Sequence, residues 1–162
     1  MAEQSDRSGN PIAGNWGSLL FFLALTVGGG LVIGVFTLPG EWYAGLVKPS
    51  FNPPNWIFGP VWTALYIMIA IAGWRVYQRD PSGLAMKIWW MALALNFLWS
   101  PVFFGAQLLG MALFIILMLL AAIFVFIVRA RAADRTAALL FAPYAAWVAF
   151  ASLLNASLYM LN

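Results

Sequence analysis

The residues with most to offer chemically are aromatic side chains at helical spacing. Phe58, Trp62 and Tyr66 recur every fourth position; Asn96, Trp99 or Ser100, Phe103 and Gln107 share one helical face, and Tyr144, Trp147, Ala151 and Asn155 share another. Turned towards one another, such faces would line a pocket for a flat, mostly apolar ligand, with sparse amides to orient it. The same faces would serve equally as an interhelical core, with Asn and Ser as hydrogen-bonding glue and Trp as filler, and periodicity alone does not separate these readings. Composition excludes other chemistries. Without Cys there is no thiolate, disulfide or iron–sulfur ligand, and without His there is no imidazole base or usual haem ligand. No carboxylate pair, base-activated nucleophile or phosphate-cradling glycine loop is present, so neither a metal site nor a resident cofactor is expected.

The elements that must position these rings follow from the charges. Of 162 residues 64% are hydrophobic and only 8% charged, whereas about a quarter are charged in soluble domains. Charge-free stretches run from Ser8 to Gly40, Pro49 to Trp74, Ile88 to Val128 and Thr136 to Asn162. As one helix the third would be about 61 Å long, twice the roughly 30 Å hydrocarbon core, so it folds back once. The expected fold is therefore an all-α membrane protein, a bundle of five transmembrane helices. The spans are about 17–38, 56–77, 86–104, 108–128 and 137–160, preceded by a polar tail over 1–16 that is too acidic for a cleavable signal peptide. A barrel would need alternating polar and apolar residues, which Met111 to Val128 lacks.

The connection Glu41 to Asn55, bounded by Pro39 and containing Pro49, Pro53 and Pro54, is expected to be a stiff, non-helical lid. Arg7, Arg75, Arg79, Lys87, Arg129, Arg131 and Arg135 fall on one side of five spans and only Lys48 on the other, which places the N-terminus inside and the loop outside. With that role the basic residues form no nucleic-acid surface, and the bilayer is the expected partner. Trp16, Trp42, Trp56, Trp74, Trp89 and Trp90 lie near span ends and read as interfacial belt or packing. Trp62 and Trp147 lie deeper, and the indole N–H of Trp147 requires a partner inside the bundle or a polar cavity.

Ordered motifs carry the reading further: Trp42-Tyr43-Ala44-Gly45-Leu46, Lys48-Pro49-Ser50, Pro53-Pro54, Trp56 and Gly59-Pro60-Val61-Trp62; then Leu95-Asn96, Trp99, Pro101 and Phe103-Phe104-Gly105-Ala106; then Pro143-Tyr144, Trp147, Phe150-Ala151 and Leu154-Asn155. In these the chain resembles the translocator protein family, also called tryptophan-rich sensory proteins or peripheral-type benzodiazepine receptors, and its bacterial members in particular. The resemblance covers nearly everything after Trp16. It implies a five-helix bundle, commonly a homodimer, that binds porphyrins such as protoporphyrin IX beneath the first loop, and in some members cholesterol and isoquinoline or benzodiazepine-type ligands. The implied ligand-binding residues are Tyr43, Phe58, Trp62, Tyr66, Asn96, Trp99, Ser100, Phe103, Trp147, Ala151 and Asn155. In family members that degrade protoporphyrin under light, two tryptophans are implicated, corresponding here to Trp62 and Trp147. The chain departs from the family in having Phe51 and Met111 where some members have Trp, and in having no Lys or Arg after Tyr159 to complete the sterol motif of animal members.

The implied function is tetrapyrrole binding that senses or regulates porphyrin levels, with light-dependent degradation as a further activity. The alternative is a transporter of porphyrins or other lipophilic ligands such as sterols. Ion-coupled transport is weakened by the lack of any Asp, Glu or Lys deep in a span. Photochemistry needs no acid or base, because the excited porphyrin supplies the energy and indoles need only lie nearby. For a dimer seam the candidates are Gly30 with Gly34, or the third span around Ala92. Glu41 and Lys48 could orient a ligand carboxylate or hold the loop.

Overall fold

A computed structural model describes residues 16–162, so the expected tail, apart from Trp16, lies outside the described residues. Five helices are long and apolar enough to cross a membrane: α1 (Trp16–Phe36), α3 (Asn55–Arg79), α4 (Leu84–Gly105), α5 (Leu109–Ala133) and α6 (Arg135–Leu161). A short helix, α2 (Glu41–Gly45), lies in the first loop, and there is no strand among the described residues. In hydrocarbon a helix satisfies its own backbone, and apolar side chains gain nothing by leaving lipid, so packing and interhelical hydrogen bonds must hold the bundle together.

α5 lies between α4 and α6, and α1 lies against α3. Phe22, Trp89, Phe126, Phe141 and Val148 are almost wholly enclosed at the core. Phe126 and Phe141 have ring centroids 4.0 Å apart. Trp89 donates its N–H to the Ile69 carbonyl at 2.9 Å, and it approaches this closely because residue 73 is glycine: a Cβ there would lie 2.6 Å from the indole nitrogen. Trp89 is thus a packing residue, whereas Trp16 and Trp56 are exposed, as belt residues are. Of the small pair in α1, Gly30 is filled by the ring of Tyr66 and Gly34 faces open space.

Two connections differ from the sequence expectation. The first loop contains α2, which ends on a cationic cap: the Lys48 ammonium donates to the carbonyls of Tyr43, Ala44 and Leu46 at 2.7, 3.0 and 3.2 Å. At the other end of the bundle α5 runs on to Ala133 rather than stopping at Val128, and only Asp134 separates it from α6. Arg129 and Arg131 suit the last turns of a helix, where the dipole favours cations. Asp134 then serves both helices. Its N–H donates to Ala130 O at 2.7 Å, and its carboxylate caps α6 by accepting from Ala137 N at 3.0 Å.

The same carboxylate holds α3. Arg75 donates through Nε and a terminal nitrogen, and Arg79 donates through Nε at 2.8 Å. Burial raises the affinity of Asp134 for a proton, but the bonds from Ala137, Arg79 and Arg75 and the charge of Arg75 outweigh it and hold the carboxyl below its ordinary range. α3 therefore lies against Arg135–Leu140 and draws away from α6 beyond Phe141, where a turn precedes Pro143.

Two helices widen locally to π turns, at Ala24–Gly28 in α1 and Pro101–Gly105 in α4. The first accompanies the Thr26 hydroxyl donating to the Tyr66 carbonyl at 2.9 Å. The second starts at a proline, which has no N–H to give, and the chain leaves it through Gln107 at φ 59°.

Candidate functional site

The three aromatic stripes converge in two groups, which adjoin at Phe58 and Trp99. The group nearer the loop is closed. Trp99 stacks on Phe103 with centroids 4.9 Å apart, and Tyr43 of α2 packs on Phe103 at 6.1 Å. The Trp99 N–H donates to Asn155 Oδ1 at 3.1 Å, and the Asn155 amide donates to the Leu109 carbonyl at 3.0 Å, so one side chain ties α4, α5 and α6. Ser100 shares a 2.6 Å hydrogen bond with Thr37. The Tyr43 hydroxyl donates to Asn52 Oδ1 at 3.3 Å; burial pushes it above the usual phenol range, and the Asn52 bond offsets part of that. Beside this group a cavity of about 490 Å³ under the loop is lined by Pro39, Gly40, Tyr43, Lys48, Asn52 and Pro54 among others. Lys48 is occupied by the three carbonyls and thus holds the loop.

The second group lies between α3 and α6. Trp62 packs on Tyr66 at 5.5 Å and edge-on to Tyr144 at 6.3 Å; Phe58 meets Trp147 edge-on at 5.8 Å. Behind these rings runs a relay across three helices: the Tyr66 hydroxyl donates to Asn96 Oδ1 at 2.8 Å, and the Asn96 amide donates to the Tyr144 hydroxyl at 2.9 Å. Asn96, 4% exposed, is therefore fastened on both sides. The close fit of Tyr66 to α1 depends on Gly30, since any Cβ there would collide with its ring.

Trp147 differs from every other described residue. Its indole N–H is the one buried side-chain nitrogen or oxygen among them without a hydrogen-bond partner. Buried donors are nearly always paired, and in hydrocarbon the requirement is stricter. Its ring also forms part of an apolar groove of about 460 Å³ between α3 and α6, lined by Val61, Ala64, Leu65 and Met68 and by Pro143 and Ala146. Ala151, one turn further along α6, borders the enclosed core at 9% exposure.

The candidate residues thus divide by role. Asn96 and Asn155 are spent on interhelical bonds; Tyr43, Trp99, Ser100 and Phe103 build a packed floor beneath the loop; Trp147 carries the unpaired donor with Phe58 against its ring, and Trp62 and Tyr66 pack on each other one turn further along α3. Gln107 leaves its stripe, because it lies beyond the end of α4 at φ 59° and is exposed. Tyr144 belonged to a stripe without being singled out as a ligand contact, and the relay shows why it matters. Asn52, Thr37 and, in the groove, Ala64, Leu65, Met68 and Ala146 gave no sequence signal, because their partners are remote in the chain.

Comparison with known proteins agrees with this architecture. The pattern of the TspO/MBR family matches residues 21–161. Protein CrtK of Rhodobacter capsulatus is 36% identical over 147 residues, covering 88% of this chain and 91% of that protein. The Tryptophan-rich sensory protein of Cereibacter sphaeroides is 36% identical over 148 residues, covering 91% and 93%. The Translocator protein of Homo sapiens is 37% identical over 134 residues, covering 78% and 79%. With five membrane-crossing helices, the loop helix under its proline-rich cover and matches along almost the whole length, this integral multi-pass membrane protein belongs to the TspO/MBR family.

Proposed function

We propose that this protein binds flat tetrapyrroles of the protoporphyrin type within the membrane and so senses or regulates their level. The observation that carries this reading is the unpaired N–H of Trp147, whose ring meets Phe58 and Phe150, next along the same two helices to the linked rings of Trp62, Tyr66 and Tyr144. A tetrapyrrole brings what that environment lacks: a flat apolar body for the rings to face, and carboxylate or ring-nitrogen acceptors for an indole donor. The name of one relative, the Tryptophan-rich sensory protein of Cereibacter sphaeroides, fits a sensing role. Any light-driven breakdown of the ligand would use Trp62 and Trp147 as nearby electron donors or as traps for reactive oxygen, with the excited porphyrin supplying the energy.

The test is a titration of the purified protein with protoporphyrin IX, haemin and cholesterol in light and dark. Saturable quenching of tryptophan fluorescence by protoporphyrin IX is expected, with affinity about three- to tenfold weaker in Trp147→Phe, the size of one lost hydrogen bond. Wild type that shows no saturable binding to any tetrapyrrole overturns the reading. In the light arm, a Trp62→Phe, Trp147→Phe double variant that binds protoporphyrin and bleaches it at the wild-type rate would assign both rings to the pocket wall alone.

A further inference from the structure

α3 and α6 form a V. They meet at Arg135–Leu140, where Arg75 and Arg79 hold Asp134, and diverge beyond Phe141. Pro143 contributes to the divergence: it has no N–H for the Leu139 carbonyl, and the break at Phe141 lets the rest of α6 take its own direction. The space left between the helices is the apolar groove, with Ala64 on one rim and Ala146 on the other. Both alanines are exposed on the outside of the bundle, so in a membrane they meet lipid rather than another helix. Inward, the groove ends on Trp147, which is at once its wall and a member of the ring cluster.

We propose that this cleft is a lateral doorway, through which a flat lipophilic molecule carrying a hydrogen-bond acceptor passes from the bilayer to the rings of Trp62 and Trp147. The proposal rests on the tetrapyrrole-binding reading above and adds the route. Three observations favour this occupant and this path. The opposite approach, through the loop, is fastened: Lys48 holds three carbonyls, and the Val47 backbone exchanges two hydrogen bonds with the Asn162 side chain, at 2.9 and 3.1 Å. The cavity beneath the loop has neither Trp62 nor Trp147 in its wall, and beside it Tyr43, Trp99 and Phe103 pack against one another. The groove, by contrast, is apolar, opens sideways, and is walled by Trp147, whose buried N–H has no partner and which a lipid acyl chain, having no acceptor, would leave unpaired. An apolar solute also concentrates in the hydrocarbon, so the side is where it arrives.

A doorway differs from a binding wall in kinetics. The test places the protein in phosphatidylcholine nanodiscs, adds protoporphyrin IX, and follows tryptophan quenching by stopped flow. Ala64→Phe and Ala146→Phe, on opposite rims, should each slow association and dissociation together by about tenfold, within the range over which association rates vary among variants of one interface, and leave Kd within about twofold. Ala149→Phe, exposed on α6 but outside the groove, should keep both wild-type rates. Unchanged rates in both rim variants, with wild type binding normally, overturn the doorway and leave the tetrapyrrole reading intact. Weaker affinity with an unchanged association rate also overturns it, because the groove is then the ligand's bed. Absence of saturable quenching in wild type overturns the functional reading itself and the doorway with it. If one rim variant fails to fold, the other reads the same passage from the facing wall.

Discussion

Trp99 and Trp147 are identical side chains in neighbouring aromatic groups, and the protein treats them in opposite ways. Around Trp99 every polar atom is matched: its N–H meets Asn155, and Asn155 turns its own amide to Leu109. Around Trp147 the rings are present but the match is missing. A satisfied network in a low-dielectric interior fixes one arrangement, and an unsatisfied donor is a standing cost that something must offset. The first group is therefore read as structure and the second as the place where binding contributes free energy.

That contrast is most directly broken by removing the hub of the closed group. Asn155→Ala removes two interhelical hydrogen bonds and leaves the Trp99 N–H unpaired, the Leu109 carbonyl keeping its bond within α5, so it should destabilise the bundle by about 2–4 kcal/mol, read as a lowered Tm in detergent. Trp99→Phe removes one bond but leaves Asn155 half-paired, and about 1–2 kcal/mol is expected. Trp147→Phe forfeits no hydrogen bond within the protein, so thermal unfolding should move by less than about 0.5 kcal/mol while ligand affinity falls. If Trp147→Phe destabilises as strongly as Trp99→Phe, the two groups are alike and the distinction fails.

A smaller and more graded effect is expected from acid. The carboxyl of Asp134 ionises below the ordinary aspartate value of 3.8 when folded, so its contribution to stability is complete above that value and disappears as pH falls through the lower folded one. Protonation loosens the bonds to Arg75 and Arg79 at the apex of the V. As pH falls below the ordinary aspartate range, protoporphyrin association should therefore quicken before the near-ultraviolet signal of the Trp99 group is lost. Simultaneous loss of both would show that the apex does not act on the groove separately.

Much of this architecture is legible in the sequence, because charges are scarce enough to mark where the chain must leave the membrane and because Asn96 and Asn155 would be costly facing lipid. What separates Trp99 from Trp147 is not legible, since the deciding partner of Trp99 is 56 residues away on another helix. The basic residues read as topology signals, which hides the second task of Arg75 and Arg79. A local sign of it does exist: Asp134 stands alone among arginines three residues before Ala137, the spacing of an N-cap whose carboxylate reaches the first turn. The loop helix escaped because four prolines argue against helix, while its cap arrives from Lys48, beyond the helix it ends.

The π turn at Ala24–Gly28 also bears on how this chain can vary in length. In a regular helix each residue turns the chain by about 100°, so deleting one within α5, between Leu113 and Ile127, would swing half of its buried face into lipid. A π turn already contains one residue more than the regular geometry requires. Deleting Val27 should let α1 relax to an uninterrupted α-helix, with Phe22 and Gly30 each still facing its own neighbour. Single-residue insertions and deletions among homologues are therefore expected to gather at this turn and to be absent from α5.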